Sequence, residues 1–413
     1  MRSIPRWGIT IADQGAIAIS NLLMSVAVSR LGGLDELGKF AIINSTLLIG
    51  VGLFRMLLTE PWLLSTRSLE PTPQLRGLIW VAPVPVAAAV GLAAGIVGGE
   101  PVWFLAIGVA LAWIPQDAGR FIAFKSHRPI VALRSDIAAL VVVAGGFTYI
   151  SLTSLETPLL ALLGTWALAQ GVALALVSGM LAGATSIAGA RRWWTHVCRT
   201  SALALSQDSV AYLLANNVSL YLLAVVASVT DVGLVRVVMS IFSPVALVFT
   251  GLNMWLIPVL ARSGVHEGRA MQRRISLTLA IFSAPALLLA VLVGPTIADV
   301  VFNADRALSP FVILMGGLSI CAIAVGSPWV AGAKVLERYR PVAWARTASA
   351  IVILGSLWLL PGFQSTTGYL ELMLGQNVAV GVVAFLVQRG SRYGSPPSVA
   401  WSARRQQGNE VDP

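Results

Sequence analysis

Charge is the scarcest commodity in this chain: Asp, Glu, Lys and Arg make up 11% of its 413 residues, against about a quarter in a soluble globular protein. With a mean hydropathy of +0.82, such a chain cannot cover itself with water-facing side chains. The two cysteines, Cys198 and Cys321, are too few for a disulfide framework and lack the spacing of metal ligands. Three histidines, His127, His196 and His266, all fall in polar breaks between apolar stretches, which argues against a zinc site or a His-based catalytic site. A cleavable signal peptide is not expected, because the first apolar stretch carries Asp13 and Gln14 and ends without a small-residue cleavage site. Long polar loops on the outer side are missing too. Segments such as SLTSLETP and PGFQSTT leave little room for a catalytic site built from loops.

What the chain has instead is apolar runs of membrane-spanning length. A bilayer is crossed by about 20 apolar residues in helical form, because lipid offers no partner to a free backbone group. Such runs occur at 8–29, 37–60, 77–98, 101–123, 130–150, 157–181, 201–227, 232–261, 275–294, 308–332, 341–360 and 367–388. With the N-terminus in the cytoplasm, 23 of the 28 Lys and Arg residues gather at inner ends and four, Arg30, Lys39, Arg236 and Arg306, at outer ends, leaving Arg55 inside the second span. The net charge of +10 is thus topogenic, and no nucleic-acid partner is expected. The expectation is an all-α polytopic membrane protein of about twelve transmembrane helices in a cell membrane, with both termini cytoplasmic. Residues 389–413, rich in Arg, Ser, Pro, Gly and Gln, read as a disordered cytoplasmic tail.

The chain also reads as a duplication. Asp13, Asn21 and Gly38 recur as Asp208, Asn216 and Gly233, each displaced by 195 positions. Arg128-Pro129-Ile130 with Arg134 recurs as Arg340-Pro341-Val342 with Arg346, displaced by 212. These matches link helices six spans apart, which implies two parallel-repeat six-helix lobes, 1–200 and 201–388, facing a central cavity.

Several patterns have plain structural readings. Gly33 to Lys39 has phosphate-loop spacing, but Phe40 stands where Mg²⁺ binding needs Ser or Thr, and Asp35 and Glu36 would repel phosphate. Gly91-x-x-x-Gly95 and Gly179-x-x-x-Gly183 permit close helix contact. Trp7, Trp62, Trp103 and Trp344 read as interfacial aromatics, and Pro83, Pro85, Pro244, Pro285 and Pro328 as in-span kinks.

The functional signal lies in charges a bilayer should exclude: Asp13, Arg55, Asp117, Arg120, Arg134 and Asp136, all in the inner halves of spans. Such groups pair, face water or bind something. A salt-bridge network, for example Arg120 with Asp136, is one reading; lining of the cavity by Arg55, with Asp13 and Asp117 as its partners, is the other. Gln207, Asp208, Asn216, Asn217 and Asn253 are candidates for the facing wall.

Three segments carry a family resemblance. SVAVSRLGGLDELGKFAI, PQDAGRFIAFKSHRPIVALRSD and MSIFSPVALVFTGLNMWLIPVLAR resemble the first-to-second helix signature, the fourth-to-fifth connection and the eighth helix of oligosaccharide flippases in the multidrug/oligosaccharidyl-lipid/polysaccharide exporter superfamily. Gly33 replaces the usual Pro, and the two extra helices of the lipid II branch are missing. The resemblance implies flipping of a lipid-linked oligosaccharide for surface polysaccharide synthesis, with membrane lipids and polysaccharide assembly proteins as partners and no cofactor. Arg55, Asp117, Arg120, Asp208, Asn216 and Asn217 are then the expected substrate-binding residues. The alternative is an ion-coupled multidrug exporter of the same superfamily, using H⁺ or Na⁺ with Asp13 as the coupling carboxylate. A membrane-embedded glycosyltransferase or ligase is a third reading, which the short outer loops disfavour.

Overall fold

The computed structural model describes residues 6–65, 70–153, 157–243, 245–246, 256, 259–260, 265–304, 308–336 and 340–389. The tail beyond residue 389, Asn253, Pro244 and most of the eighth span after Ser243 lie outside the described residues. Of Trp7 and Asp208 only the helix position is described.

The described residues are helical apart from short connections such as 70–72 and 182–189, and no strand occurs among them. Nine stretches among them are long and apolar enough to cross a membrane. The first, Gly8–Leu63, is 56 residues long and accounts for two crossings. Its helix α1, Arg6–Phe54, breaks at Gly33, where φ is 80° and ψ −175°. A side chain would clash in that conformation, so glycine permits a reversal without a loop. The reversal follows from the contacts: unbroken, α1 would hold Asp13 and Arg55 about 60 Å apart at 1.5 Å per residue, yet Arg120 bonds Asp13 and also pairs with Asp117, which in turn holds Arg55. The break lies near the midpoint between residues 13 and 55, so the two arms of the hairpin bring both side chains to one depth.

Eight further crossings are Pro73–Gly98, Glu100–Lys125, Pro129–Thr153, Pro158–Leu181, Glu267–Phe302, Pro310–Val335, Arg340–Leu359 and Thr366–Arg389. Helices Arg199–Leu213 and Ser219–Val226, joined by the π-turn Leu214–Val218, form the seventh crossing in chain order. The described start of the eighth is helix α2, Val229–Ile241. Among the described residues this gives eleven crossings and the start of the remaining one, in keeping with the expected architecture, with the first two fused at Gly33 rather than separated by a loop.

The halves meet chiefly where α1 packs along α2. Gly38 abuts the backbone of Val229, and Gly233 abuts the backbone of Leu34. Both pairs are related by the 195-residue displacement, since Leu34 maps to Val229 as Gly38 maps to Gly233. A reciprocal contact of this kind is what a two-fold axis produces, here a pseudo-axis within one chain.

Some local expectations are corrected. Gly91 and Gly95 do accept a neighbour, the Trp103 side chain, but Gly179 has nothing within 4 Å of its ideal Cβ, and Gly183 lies beyond its helix end against the Arg76 guanidinium. Trp62 is fully buried, with the Lys125 ammonium 3.8 Å from its ring centroid, rather than facing lipid. Pro83 and Pro85 do follow a break at Ala82 within the crossing Pro73–Gly98, and Pro285 and Pro328 lie inside helices, as expected; Pro115 is a further in-helix proline that the sequence reading did not name.

Candidate functional site

Two polar sites emerge. The first is an arginine–carboxylate cluster within the N-terminal half. Asp117 and Arg120 lie one turn apart on the helix Glu100–Lys125, with Asp136 on the adjacent helix and Asp13 and Arg55 on the two arms of the first hairpin. Arg55 donates from Nε and Nη2 to both oxygens of Asp117, at 2.6 and 2.5 Å. Arg120 donates from Nη2 to Asp13 Oδ2 at 2.6 Å and from Nη1 to Asp117 Oδ1 at 3.4 Å. Its Nε forms a 2.8 Å ion pair with Asp136 Oδ2. Gln116 Nε2 donates to Asp136 Oδ1 at 2.9 Å. Asp13, Asp117 and Arg120 are 0, 1 and 5% exposed.

The charge balance of this cluster matters. Three carboxylates face two guanidinium groups, and Asp13 Oδ1 is buried with no hydrogen-bond partner among the described residues. An uncompensated negative charge out of water is costly, and one bound proton or cation would cancel it. The pairing of Arg120 with Asp136 and of Arg55 with Asp117 agrees with the sequence reading; Asp13 goes to Arg120 rather than to Arg55. Arg134 is exposed and outside the cluster. Arg55 begins a π-turn, Arg55–Thr59, a backbone feature common at functional sites.

The second site is a cavity of about 380 Å³ between the halves. Its lining follows the internal repeat: Ile17 faces with Tyr212, Asn21 with Asn216, Asn44 with Met239 and Leu48 with Ser243, each pair displaced by 195 positions. The C-terminal half adds Ser319 and Asn377, the latter donating to Ser319 Oγ at 2.8 Å. Among the described residues of the lining Arg236 is the one charged side chain, and none of them is a carboxylate. Its Nε donates to Ser25 Oγ at 3.0 Å across the interface, and its guanidinium carbon stands 5.7 Å from the Phe40 ring centroid. Of the residues expected from sequence, Asn216 lines this cavity, Asn217 is buried beside it, and Arg55, Asp117 and Arg120 belong to the separate cluster. Arg236 was counted by sequence at the outer end of the eighth span; it sits within the helix Val229–Ile241 and lines the cavity.

No family model matches the chain. No curated protein matches it. Solved structures do. A eukaryotic MATE transporter, AtDTX14, shares 12% identity with a TM-score of 0.64, covering 97% of both chains. The D35N mutant of the Vibrio cholerae MATE transporter VcmN shares 14% with a TM-score of 0.62, over 92% of this chain and 94% of that one. A MOP-superfamily transporter from Pyrococcus furiosus, described as having reversed polarity of its binding pocket, shares 13% with a TM-score of 0.57 over 93% of each chain. The chain is a multi-pass membrane protein with the fold of MATE transporters. The oligosaccharide-flippase resemblance rests on the sequence motifs alone.

Proposed function

We propose that the protein is a carrier, not an enzyme, that moves an amphipathic substrate with an anionic sugar-bearing head across a cytoplasmic membrane by alternating access. A lipid-linked oligosaccharide fits that description. The observation carrying this reading is the polarity of the inter-lobe cavity, which Arg236 and the amides of Asn21, Asn44, Asn216 and Asn377 line, with no carboxylate among the described lining residues. A guanidinium binds phosphate through a planar fork and stays charged. Amides and hydroxyls both donate to and accept from sugar hydroxyls. A cationic drug would meet a like charge there. A negative-inside potential assists export of an anion by about 2.3 kcal/mol per charge per 100 mV. Both termini inside, and contact with polysaccharide assembly proteins, belong to the same proposal.

In this reading Asn216 contacts the head directly, with Asn217 beside it in the π-turn Leu214–Val218 and Asp208 placed on the preceding helix of the same crossing. Arg55, Asp117 and Arg120 hold the N-terminal half around Asp13, and Asp13 is the coupling carboxylate for H⁺ or Na⁺. A second reading, an ion-coupled multidrug exporter, is favoured by the likeness to MATE transporters and by the unpartnered Asp13 Oδ1. Transport in reconstituted vesicles separates the two. Flipping of a fluorescent lipid-linked sugar that falls at least tenfold in Arg236→Gln is the expected result. Transport of a cationic dye that is indifferent to Arg236→Gln, with no movement of the sugar lipid, would overturn the proposal in favour of the exporter.

A further inference from the structure

We propose that the helix joining the two halves, Ala190–Val197, is a docking surface for anionic phospholipid headgroups. The helix follows Leu181, the end of a crossing of 24 residues, which is about 36 Å of helix and therefore reaches the membrane boundary. The connection then turns back on the bundle: Ser186 N donates to Pro73 O at 2.9 Å, at the start of the third crossing. The joining helix is thereby held alongside the membrane face and does not project from it.

Its sequence, ARRWWTHV, divides cleanly. At about 100° per residue, Arg191, Arg192 and His196 occupy one arc, and Ala190, Trp193, Trp194 and Val197 the opposite one. The structure uses the two arcs in opposite ways. Arg191, Arg192 and His196 are exposed, as is Arg199 just beyond, whereas Ala190 is buried and both tryptophans pack against the hydrophobic core. Trp194 Nε1 also donates to Leu57 O at 2.9 Å, which fixes the orientation of the helix.

The occupant follows from charge. Residues 157–207 contain no Asp or Glu, and none of Arg191, Arg192 and Arg199 has an ion-pair partner among the described residues. Ile187, 59% exposed, flanks this basic row with an apolar side chain. Exposed bases beside an exposed aliphatic group at the membrane boundary match a phosphodiester headgroup above an acyl chain. Leu57 lies in the π-turn that begins at Arg55, so lipid docked on this helix bears on the backbone that presents Arg55 to Asp117.

The test uses the full chain in nanodiscs of phosphatidylcholine with and without phosphatidylglycerol, counting co-purified lipids by native mass spectrometry and following thermal unfolding. The wild type is expected to retain phosphatidylglycerol several-fold over phosphatidylcholine and to gain stability from it. Arg191→Gln/Arg192→Gln should lose that preference, Arg191→Lys/Arg192→Lys should keep it, and Arg273→Gln/Arg274→Gln, on exposed positions of another helix, should keep it. Raising ionic strength should weaken the wild-type preference, because exposed charges are screened. Unchanged selectivity in the glutamine variant, salt-independent selectivity in the wild type, or equal loss in the Arg273/Arg274 control would overturn the assignment to this helix.

Discussion

Gly38 and Gly233 are 195 positions apart in sequence and back to back in space, each closing on the backbone of the other's helical turn. A Cβ built on Gly38 would stand within van der Waals overlap of Val229 O, and one on Gly233 within overlap of Leu34 O. The two halves therefore approach at a point where only hydrogen atoms fit. Around it, Ser29 and Arg30 of the first hairpin donate to the carbonyls of Phe302, Val301 and Val300, which end the helix Val265–Phe302 and lack partners within it. Arg236 reaches Ser25 across the same seam. This seam is the part of the molecule that has to open or pivot if the halves rock against each other.

Substituting either glycine should separate the halves here. Gly38→Ala and Gly233→Ala should each lower stability by about 1–3 kcal/mol, the usual cost of overpacking. The pseudo-symmetry makes their costs similar, and the double variant should cost less than the sum because both relieve one contact. Gly15→Ala, where nothing lies within 4 Å, should be neutral. Thermal unfolding in detergent measures all four. Equal effects at Gly15 and Gly38 would contradict a specific contact.

Much of this was legible in the sequence, and the parts that were not have physical causes. Hydropathy alone marks the crossings because lipid punishes any other arrangement. The 195-residue register was visible at Asp13, Asn21 and Gly38, and the cavity lining extends it to Ile17, Asn44 and Leu48. Arg236 was misplaced because it was counted with the bases at span ends. Helix α2 in fact begins at Val229, where Ser228 Oγ accepts from Asp231 N, and this sets Arg236 about 10 Å along the helix. The π-turns at Arg55–Thr59 and Leu214–Val218 insert an extra residue per turn, and no composition signal announces that.

Orientation is open to a direct test. Reporter fusions after Arg192 and Arg274 should report cytoplasm, and fusions near Ser154 and Gln364 the outer side. One reversed pair would break the alternation on which the basic-residue count rests.

Asp13→Asn keeps the size of the side chain and its bond to Arg120 while removing the titratable charge. The cluster then holds two carboxylates against two guanidinium groups, so folding should be preserved. Gradient-driven transport in vesicles should be lost, whereas exchange without a gradient should persist. Full gradient dependence in the mutant would exclude Asp13 as the coupling site.

The last prediction concerns Arg55, which was expected from sequence to reach an anionic headgroup. Both of its donors toward Asp117 are engaged in a two-point pair, and the guanidinium carbon lies 5.3 Å from the Phe121 ring centroid, so its bonding capacity is directed inward. Its side chain is 36% exposed and that of Asp117 is 2% exposed. Removing Arg55 therefore strands a buried carboxylate more than it removes a surface charge. Breaking a fully buried pair costs about 3–5 kcal/mol. Partial exposure of Arg55 and the remaining 3.4 Å contact of Asp117 with Arg120 reduce the expected loss for Arg55→Ala to about 2 kcal/mol. Arg55→Ala/Asp117→Asn should recover most of that stability, because no unpaired charge remains. Arg55→Lys should fall between, keeping the charge but not the fork. Thermal unfolding is to be read beside transport of a lipid-linked sugar analogue in the same vesicles. If Arg55→Ala unfolds at the wild-type temperature, loses transport and is not rescued by Asp117→Asn, the arginine binds substrate and the structural assignment fails.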